Sequence, residues 1–192
     1  MNNSLTQQVN VKINQDWTNV IAGLNHAIEL VQSGSNRITK SYKYSDYGHH
    51  YELGNAGTLA HVTNGSSYWY NFNGPLLIGM LPWVSKLMTD LQPICPTFIT
   101  INKLVGNGAE HVDQPGQNTG FNYFINTTRS ITYCKDENVE ESYPSIQDTA
   151  WILNIQKKHR IENADTRIWF NLRFHENFAN CQKFFCNKNF IY

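Results

Sequence analysis

Apolar residues recur at helical spacing near the start of the chain, which predicts an amphipathic helix there. Six residues form its apolar face: Trp17, Val20, Ile21, Leu24, Ile28 and Val31. Asp16 is placed to cap this helix and Gly34 to end it. A second helix is predicted from about Pro75 to Leu91, in which Pro82 either bends the helix or marks its true start.

The second half of the chain alternates as β-strands do. Strands are predicted over residues 97–101, 120–125, 130–133, 150–153 and 166–172. Short strands at regular spacing indicate a sandwich or a barrel. Because the helices lie at one end of the sequence, we expect them to pack against one face of a mostly antiparallel sheet.

The remaining segments carry weaker patterns. Residues 1–15 are polar and predict an edge strand or a loose arm, and residues 35–74 predict short strands and loops with a hairpin turn at Asn64-Gly65. The aromatic segments 42–51 and 68–72 are candidates for a substrate-facing lid, although ordinary strand and core aromatics explain them equally well. An apolar stripe in the tail predicts a final amphipathic helix covering the core: Phe174, Phe178, Cys181, Phe184 and Phe185.

Length and charge narrow the class of protein. The 192 residues predict a single domain, divided into an N-terminal packing region (1–95), a β core (96–174) and a tail (175–192). Lys+Arg and Asp+Glu balance at 15 each, so neither nucleic acid nor a membrane surface is an expected partner. The first residues lack the pattern of a secretory signal, and the four cysteines show no zinc-binding spacing. These features favour a cytoplasmic protein with reduced thiols.

The pattern that points to chemistry is His111-Val112-Asp113, followed at a distance by His159. Residues two apart in a strand project from the same face, so His111 and Asp113 can reach one ion, and a rolled sheet can bring His159 alongside. Two histidines and one carboxylate are the ligands of the facial triad that holds non-haem Fe(II). A single H-x-D arises readily by chance, so the competing interpretation is a structural histidine beside a surface aspartate.

Arg167 supplies a forked cation that can hold a carboxylate. Asn163, Ala164 and Asp165 have the character of a turn, which predicts a hairpin in which Asn163 pairs with Arg167 and His159 shares a face with Arg167. Arg160 then points away from the cavity toward surface ion pairs. Arg173 has the same parity as Arg167 and is the second candidate for the carboxylate anchor.

Residues 99–174 resemble the double-stranded β-helix core of the Fe(II)- and 2-oxoglutarate-dependent oxygenases. The matching stretches are Gly106-Asn107-Gly108, His111-Val112-Asp113, Phe121-Asn122-Tyr123-Phe124-Ile125-Asn126, and His159-Arg160-Ile161-Glu162-Asn163 with Arg167. The last stretch is similar to the aspartyl/asparaginyl hydroxylase branch, which often lacks the carboxylate ligand that Asp113 supplies here. Gly106-Asn107-Gly108 is similar to the prolyl hydroxylase branch, but Leu104 stands where that branch has a tyrosine that helps hold the co-substrate.

This resemblance implies a mainly β fold with flanking helices around a jelly-roll, cupin-like core. It implies an enzyme that uses Fe(II), O2 and 2-oxoglutarate to hydroxylate an unidentified protein side chain or small molecule. His111, Asp113 and His159 would be the catalytic iron ligands, and Arg167 would bind the far carboxylate of 2-oxoglutarate. Candidates to replace the contact missing at Leu104 are Asn122, Tyr123 and Thr132.

Two other classes of protein fit parts of the sequence. A jelly roll without activity, serving binding or structure, would be expected to have lost at least one of the three ligands or Arg167. A cupin-type metalloenzyme without a keto acid would not need Arg167 and would usually carry more histidine ligands. A second polar cluster, His49, His50, Glu52 and His61, is more typical of surface groups than of a metal site.

Overall fold

The computed structural model describes residues 4–32, 38–43, 49–53, 58–64, 67–73 and 81–192. The strands are β1 (Thr6–Val9), β2 (Val11–Lys12), β3 (Ile38–Lys43), β4 (His49–Leu53), β5 (Thr58–Asn64), β6 (Ser67–Asn73), β7 (Pro96–His111), β8 (Thr119–Phe124), β9 (Ile131–Asp136), β10 (Val139–Pro144), β11 (Ala150–Asn154), β12 (Lys158–Phe174) and β13 (Phe190–Ile191). The α-helices are α1 (Thr18–Gln32), α2 (Trp83–Asp90) and α3 (Phe178–Phe185).

The strands form a nearly closed antiparallel sheet, with β13 and β2 as a separate parallel pair. The main order is β1-β11-β8-β12-β7-β6-β5-β4-β3, and the β9–β10 hairpin joins through β9 to β12. On one side β12 pairs with β7 along almost its whole length. On the other side it pairs first with β9 and then with β8. The fold is the predicted jelly roll with a cupin-like core.

The helices pack on the outer face of the roll, as predicted. Trp17, Val20 and Leu24 lie in one apolar core with residues of α2, α3 and the sheet. Asp16 caps α1 by accepting the amide of Thr18 at 2.9 Å. The second helix begins at Trp83, directly after Pro82, because proline lacks the amide that a helix interior needs. Among the residues that the structure describes, no helix has the length and apolar character needed to cross a bilayer.

A second, smaller apolar cluster lies inside the roll. Strand β8 divides the two clusters by simple alternation, because successive side chains of a strand point to opposite faces. Phe121 and Tyr123 join the outer core, whereas Phe124 joins the inner cluster. Both faces of β8 are buried throughout. The side chains of β8 that do not join the outer core therefore point into the roll.

The prediction of a hairpin around residues 163–165 is wrong, because β12 runs without a turn from Lys158 to Phe174. Its pairing with β7 shifts register on both sides of Ala164. At this point β12 leaves β9 and joins β8. Opposite Ala164, Gly106 takes a positive φ of 90°, which glycine adopts without strain. The polar residues thus mark a change of neighbour rather than a reversal of the chain.

Other strand boundaries also differ from the prediction. The first predicted core strand is the beginning of β7, which continues to His111. Strand β10 was not predicted, because only Tyr143 among its six residues is buried and the others are polar or exposed. The hairpin between β5 and β6 is present, but its turn lies outside the described residues. The same holds for the proposed helix end at Gly34 and for residues 75–80.

Candidate metal centre

The end of β7 and the start of β12 bring three possible metal ligands together. His111 pairs across the sheet with His159, and the two imidazole centroids lie 4.2 Å apart. Asp113 follows β7, and its amide donates to the carbonyl of Ile155 at 3.0 Å. One ligand atom from each of these three side chains lies within 4.8 Å of the others. A single cross-strand pair therefore joins segments that are far apart in the sequence.

The three ligand atoms face one another. Nε2 of His111 lies 3.3 Å and Nε2 of His159 lies 3.4 Å from Oδ1 of Asp113. Each Nδ1 instead faces a main-chain carbonyl, that of Ala109 at 2.8 Å and that of Lys157 at 3.0 Å. Because a carbonyl only accepts, we assign the ring proton to Nδ1 and the lone pair to Nε2. Three electron-rich atoms at this separation repel one another unless a proton or a cation lies between them, so the donor set fits a divalent metal.

Electrostatics keep Asp113 ionised. Burial alone would raise the pKa of Asp113, but the positive charge of the Arg173 guanidinium and the two imidazoles beside the carboxylate outweigh it and hold the pKa well below its usual range. Burial would lower the pKa of His111, but contacts with Asp113 and the Ala109 carbonyl raise it. Asp113 is therefore ionised at neutral pH, and the ionised carboxylate is the form that binds a metal.

Arg167 lines the same cavity as the two histidines and has no exposed surface. Its Nη1 donates to Thr132 Oγ1 at 2.6 Å, and the guanidinium lies over the rings of Phe124 and Trp169. Its Nε and Nη2 have no hydrogen-bond partner among the described residues. Burial lowers the pKa of Arg167 to about 10, so the group remains cationic at neutral pH. A buried cation with free donors is suited to an anionic ligand.

The second arginine of the cavity is already occupied. Arg173 donates from Nε to Asp113 Oδ2 at 2.7 Å and from Nη1 to Asn171 Oδ1 at 2.9 Å. The chain of hydrogen bonds continues because Asn171 donates to Asn122 at 2.6 Å, and Asn122 donates to the Tyr143 hydroxyl at 2.8 Å. Nε and Nη1 of Arg173 are therefore hydrogen-bonded to side chains of the protein itself. Arg167 is therefore better suited than Arg173 to hold the carboxylate of a ligand.

The three further candidates for co-substrate contacts fall on different faces. Asn122 and Thr132 line the cavity. Tyr123 does not, and its proposed role in co-substrate binding is wrong. It lies on the outer face of β8, where its hydroxyl donates to Asp148 at 3.0 Å and accepts the Ile13 amide at 3.2 Å. The reason is strand alternation, since Asn122 and Tyr123 are adjacent and point in opposite directions.

Tyr143 and Asn171 are the residues of this region that sequence reasoning missed. Tyr143 is fully buried and stacks on Trp151 with the ring centroids 4.7 Å apart. Asn171 is buried within the apolar run of β12, and a polar residue in such a run is itself a signal of an internal contact. Arg160 points away from the cavity as predicted, and pairs with Glu140 at 2.8 Å and Glu162 at 2.7 Å. The side chains of His49, His50, Glu52 and His61, and the aromatics of 42–51 and 68–72, lie outside the described residues.

Comparison with known proteins gives the fold a precedent. No family model and no curated protein matches the chain. Among solved structures, a prolyl hydroxylase from Trichoplax adhaerens in complex with a hypoxia inducible factor oxygen degradation domain peptide fragment is 12% identical, with a TM-score of 0.51 over 90% of this chain and 84% of that chain. A 2OG-Fe(II) oxygenase family oxidoreductase from Burkholderia pseudomallei is 10% identical, with a TM-score of 0.51 over 62% and 74%. AviO1 from Streptomyces viridochromogenes Tue57 is 9% identical, with a TM-score of 0.52 over 90% of both chains.

The chain shares the fold of the 2OG-Fe(II) oxygenases. At this level of identity the likeness describes architecture alone. The features of the cavity that bear on chemistry are the three converging ligand atoms at one end and the unpaired donors of Arg167.

Removing either His111 or Asp113 should abolish metal binding. We expect His111→Ala and Asp113→Ala to bind no stoichiometric Mn(II) in calorimetric titrations, because each change deletes one of three ligand atoms. His26→Ala is the matched control, since the side chain of His26 is 71% exposed on α1. Unchanged Mn(II) stoichiometry in both site variants would contradict the assignment.

Proposed function

We propose that this protein is an Fe(II)- and 2-oxoglutarate-dependent dioxygenase that hydroxylates an unidentified substrate and releases succinate and CO2. The observation that carries the proposal is the buried Arg167, whose two unpaired donors belong to the same cavity as the His111, Asp113 and His159 cluster. A metal site alone would fit many enzymes. A metal site that shares its cavity with a free buried cation fits a co-substrate with a metal-binding end and a distant carboxylate.

The residues at the metal end would hold and orient the iron. His111, Asp113 and His159 offer three ligand atoms on one side of the site, and the Ala109 and Lys157 carbonyls fix the two imidazoles in the metal-binding tautomer. When bound, Fe(II) and 2-oxoglutarate supply the oxidative decarboxylation that drives hydroxylation. The protein contributes the orientation of the ligands and the exclusion of water.

The residues at the other end would hold the far carboxylate of 2-oxoglutarate. Thr132 holds one arm of Arg167, and the rings of Phe124 and Trp169 cover the guanidinium, which leaves Nε and Nη2 to donate to an anion. Burying a carboxylate is costly unless a cation accompanies it, and Arg167 offsets that cost. Thr132 and Asn122 would line the space between the two ends.

The same cavity disfavours the two other classes of protein. A binding or structural module with a decayed site would have no reason to retain all three ligands beside a buried arginine with free donors. A metalloenzyme that did not use a keto acid would gain nothing from Arg167, whose burial with unpaired donors lowers the stability of the free protein.

We also infer that the reaction takes place in the cytoplasm. All four cysteines are free thiols, and two of them, Cys134 and Cys181, are buried. A protein with unpaired buried thiols suits a reducing compartment, because secreted domains generally use their cysteines in disulfides.

Replacing Arg167 should weaken 2-oxoglutarate binding and spare the metal. We expect Arg167→Ala to raise the Kd for 2-oxoglutarate at least about 100-fold in the Mn(II)-loaded protein, since an uncompensated buried carboxylate costs about 3–5 kcal/mol. Mn(II) affinity should stay within about threefold, because Arg167 contacts none of the three ligands. Arg160→Ala, on the other face of β12, is the matched control for loss of an arginine. An unchanged Kd for 2-oxoglutarate in Arg167→Ala would show that Arg167 does not bind the carboxylate, and would contradict the proposed function.

The loaded protein should consume 2-oxoglutarate slowly without any other substrate. With Fe(II), O2 and ascorbate we expect succinate to accumulate at a low rate, and Asp113→Ala to give only the background of free iron. The measurement is quantitative mass spectrometry of succinate formed from isotope-labelled 2-oxoglutarate. Equal rates for the wild-type protein and Asp113→Ala would contradict an enzyme-bound reaction.

A further inference from the structure

The two carboxylate oxygens of Asp113 have different partners. Its Oδ1 is the atom that both histidine Nε2 atoms face, at 3.3 and 3.4 Å. Its Oδ2 accepts the Nε proton of Arg173 at 2.7 Å. A carboxylate that is free at both oxygens can bind a cation through one oxygen or through two. Here a second cation, the guanidinium, already occupies one of them.

The packing around Arg173 helps to hold its guanidinium in this position. It pairs across β12 and β8 with Gly120, and a Cβ at Gly120 would lie 3.1 Å from Nη1 of Arg173. The same Cβ would lie 2.8 Å from Ile155 Cγ2 and 2.9 Å from Leu153 Cδ2, closer than real Cβ contacts occur. Glycine at this position therefore lets the guanidinium lie along the sheet toward Asp113 without displacing the side chains around it.

The orientation of the guanidinium is fixed from its other side as well. Nη1 of Arg173 donates to Asn171 Oδ1 at 2.9 Å. Asn171 donates in turn to the Phe121 carbonyl at 3.2 Å and to Asn122 Oδ1 at 2.6 Å. Both Asn122 and Asn171 are buried, so their amides have few alternative partners. The side chain of Arg173 is itself only 14% exposed. Rotation away from Asp113 would break the hydrogen bonds of Arg173 to both Asp113 and Asn171.

We propose that Arg173 is a positioning residue that limits Asp113 to binding the metal through Oδ1 alone. This inference rests on the proposed metal site and adds a role for a residue that touches neither the metal nor the anchored carboxylate. By holding Oδ2, Arg173 keeps a coordination position open that the second carboxylate oxygen would otherwise fill. That position is available to the keto acid end of 2-oxoglutarate. Without Arg173, the carboxylate is free to turn both oxygens to the ion.

The test counts the water molecules that exchange on bound Mn(II). We expect Arg173→Gln to bind Mn(II) at least as tightly as the wild-type protein, because a competing cation has been removed. Proton relaxation of solvent water should show one exchangeable water fewer on the metal, because Oδ2 replaces it. The Kd for 2-oxoglutarate in the Mn(II)-loaded variant should rise about tenfold or more, the usual scale for loss of a group that orients a metal ligand.

Two further variants and a control complete the design. Arg173→Met fills the same space without donating hydrogen bonds, and it must give the same loss of one water if the glutamine variant does not fold. Arg173→Lys keeps the charge and a donor, and should restore the wild-type water count. Arg160→Gln removes an arginine of the same strand that pairs with Glu140 and Glu162, and should match the wild-type protein in every readout.

The outcomes separate this inference from the proposed function. Wild-type water counts together with wild-type 2-oxoglutarate affinity in Arg173→Gln and Arg173→Met would overturn the role of Arg173 while leaving the metal site intact. Failure of the wild-type protein to bind Mn(II) at all would instead overturn the metal site on which the inference rests.

Discussion

A guanidinium buried with unpaired donors is the constraint around which this molecule is organised. Transferring a charged group out of water is costly, and the cost falls only when opposite charge and hydrogen-bond acceptors surround the group. Arg167 donates to Thr132 and lies over two aromatic rings, its Nε and Nη2 have no partner, and no carboxylate among the described residues pairs with it. The fold tolerates this arrangement because an anion that enters the cavity would complete it. The anion that we propose to bind here would meet a guanidinium that is already oriented, so less conformational entropy would be lost on binding.

The long strand β12 makes the arrangement possible. It carries His159 near one end, Arg167 in the middle and Arg173 near the other end, and all three line one cavity. Because β12 changes its neighbour from β9 to β8 along its length, it lies beside His111 of β7, Thr132 of β9 and Asn122 of β8. One strand thus aligns the metal end and the cationic end of the cavity in a fixed relation.

The sequence predicted those features that depend on local periodicity. The spacing of apolar residues located the helices, most of the core strands and the H-x-D pair at a strand end. It could not show that β12 is continuous, because the polar residues at 163–165 are the same types that form turns, and only the exchange of neighbouring strands explains them here. Tyr143 was missed because β10 is an edge strand with one buried residue and hence no alternation. The two arginines of the cavity have the same parity, and only the contacts of Arg173 with Asp113 and Asn171 distinguish them.

We propose that the metal site and Arg167 bind the two ends of one dicarboxylate. Calorimetric titration of 2-oxoglutarate into the wild-type protein, with and without saturating Mn(II), tests it most directly. We expect the metal to tighten 2-oxoglutarate binding at least about tenfold, a coupling of about 1.4 kcal/mol, and glutarate, which lacks the keto group, to show no such gain. Equal affinity for 2-oxoglutarate with and without the metal would mean that the metal site and Arg167 do not share a ligand.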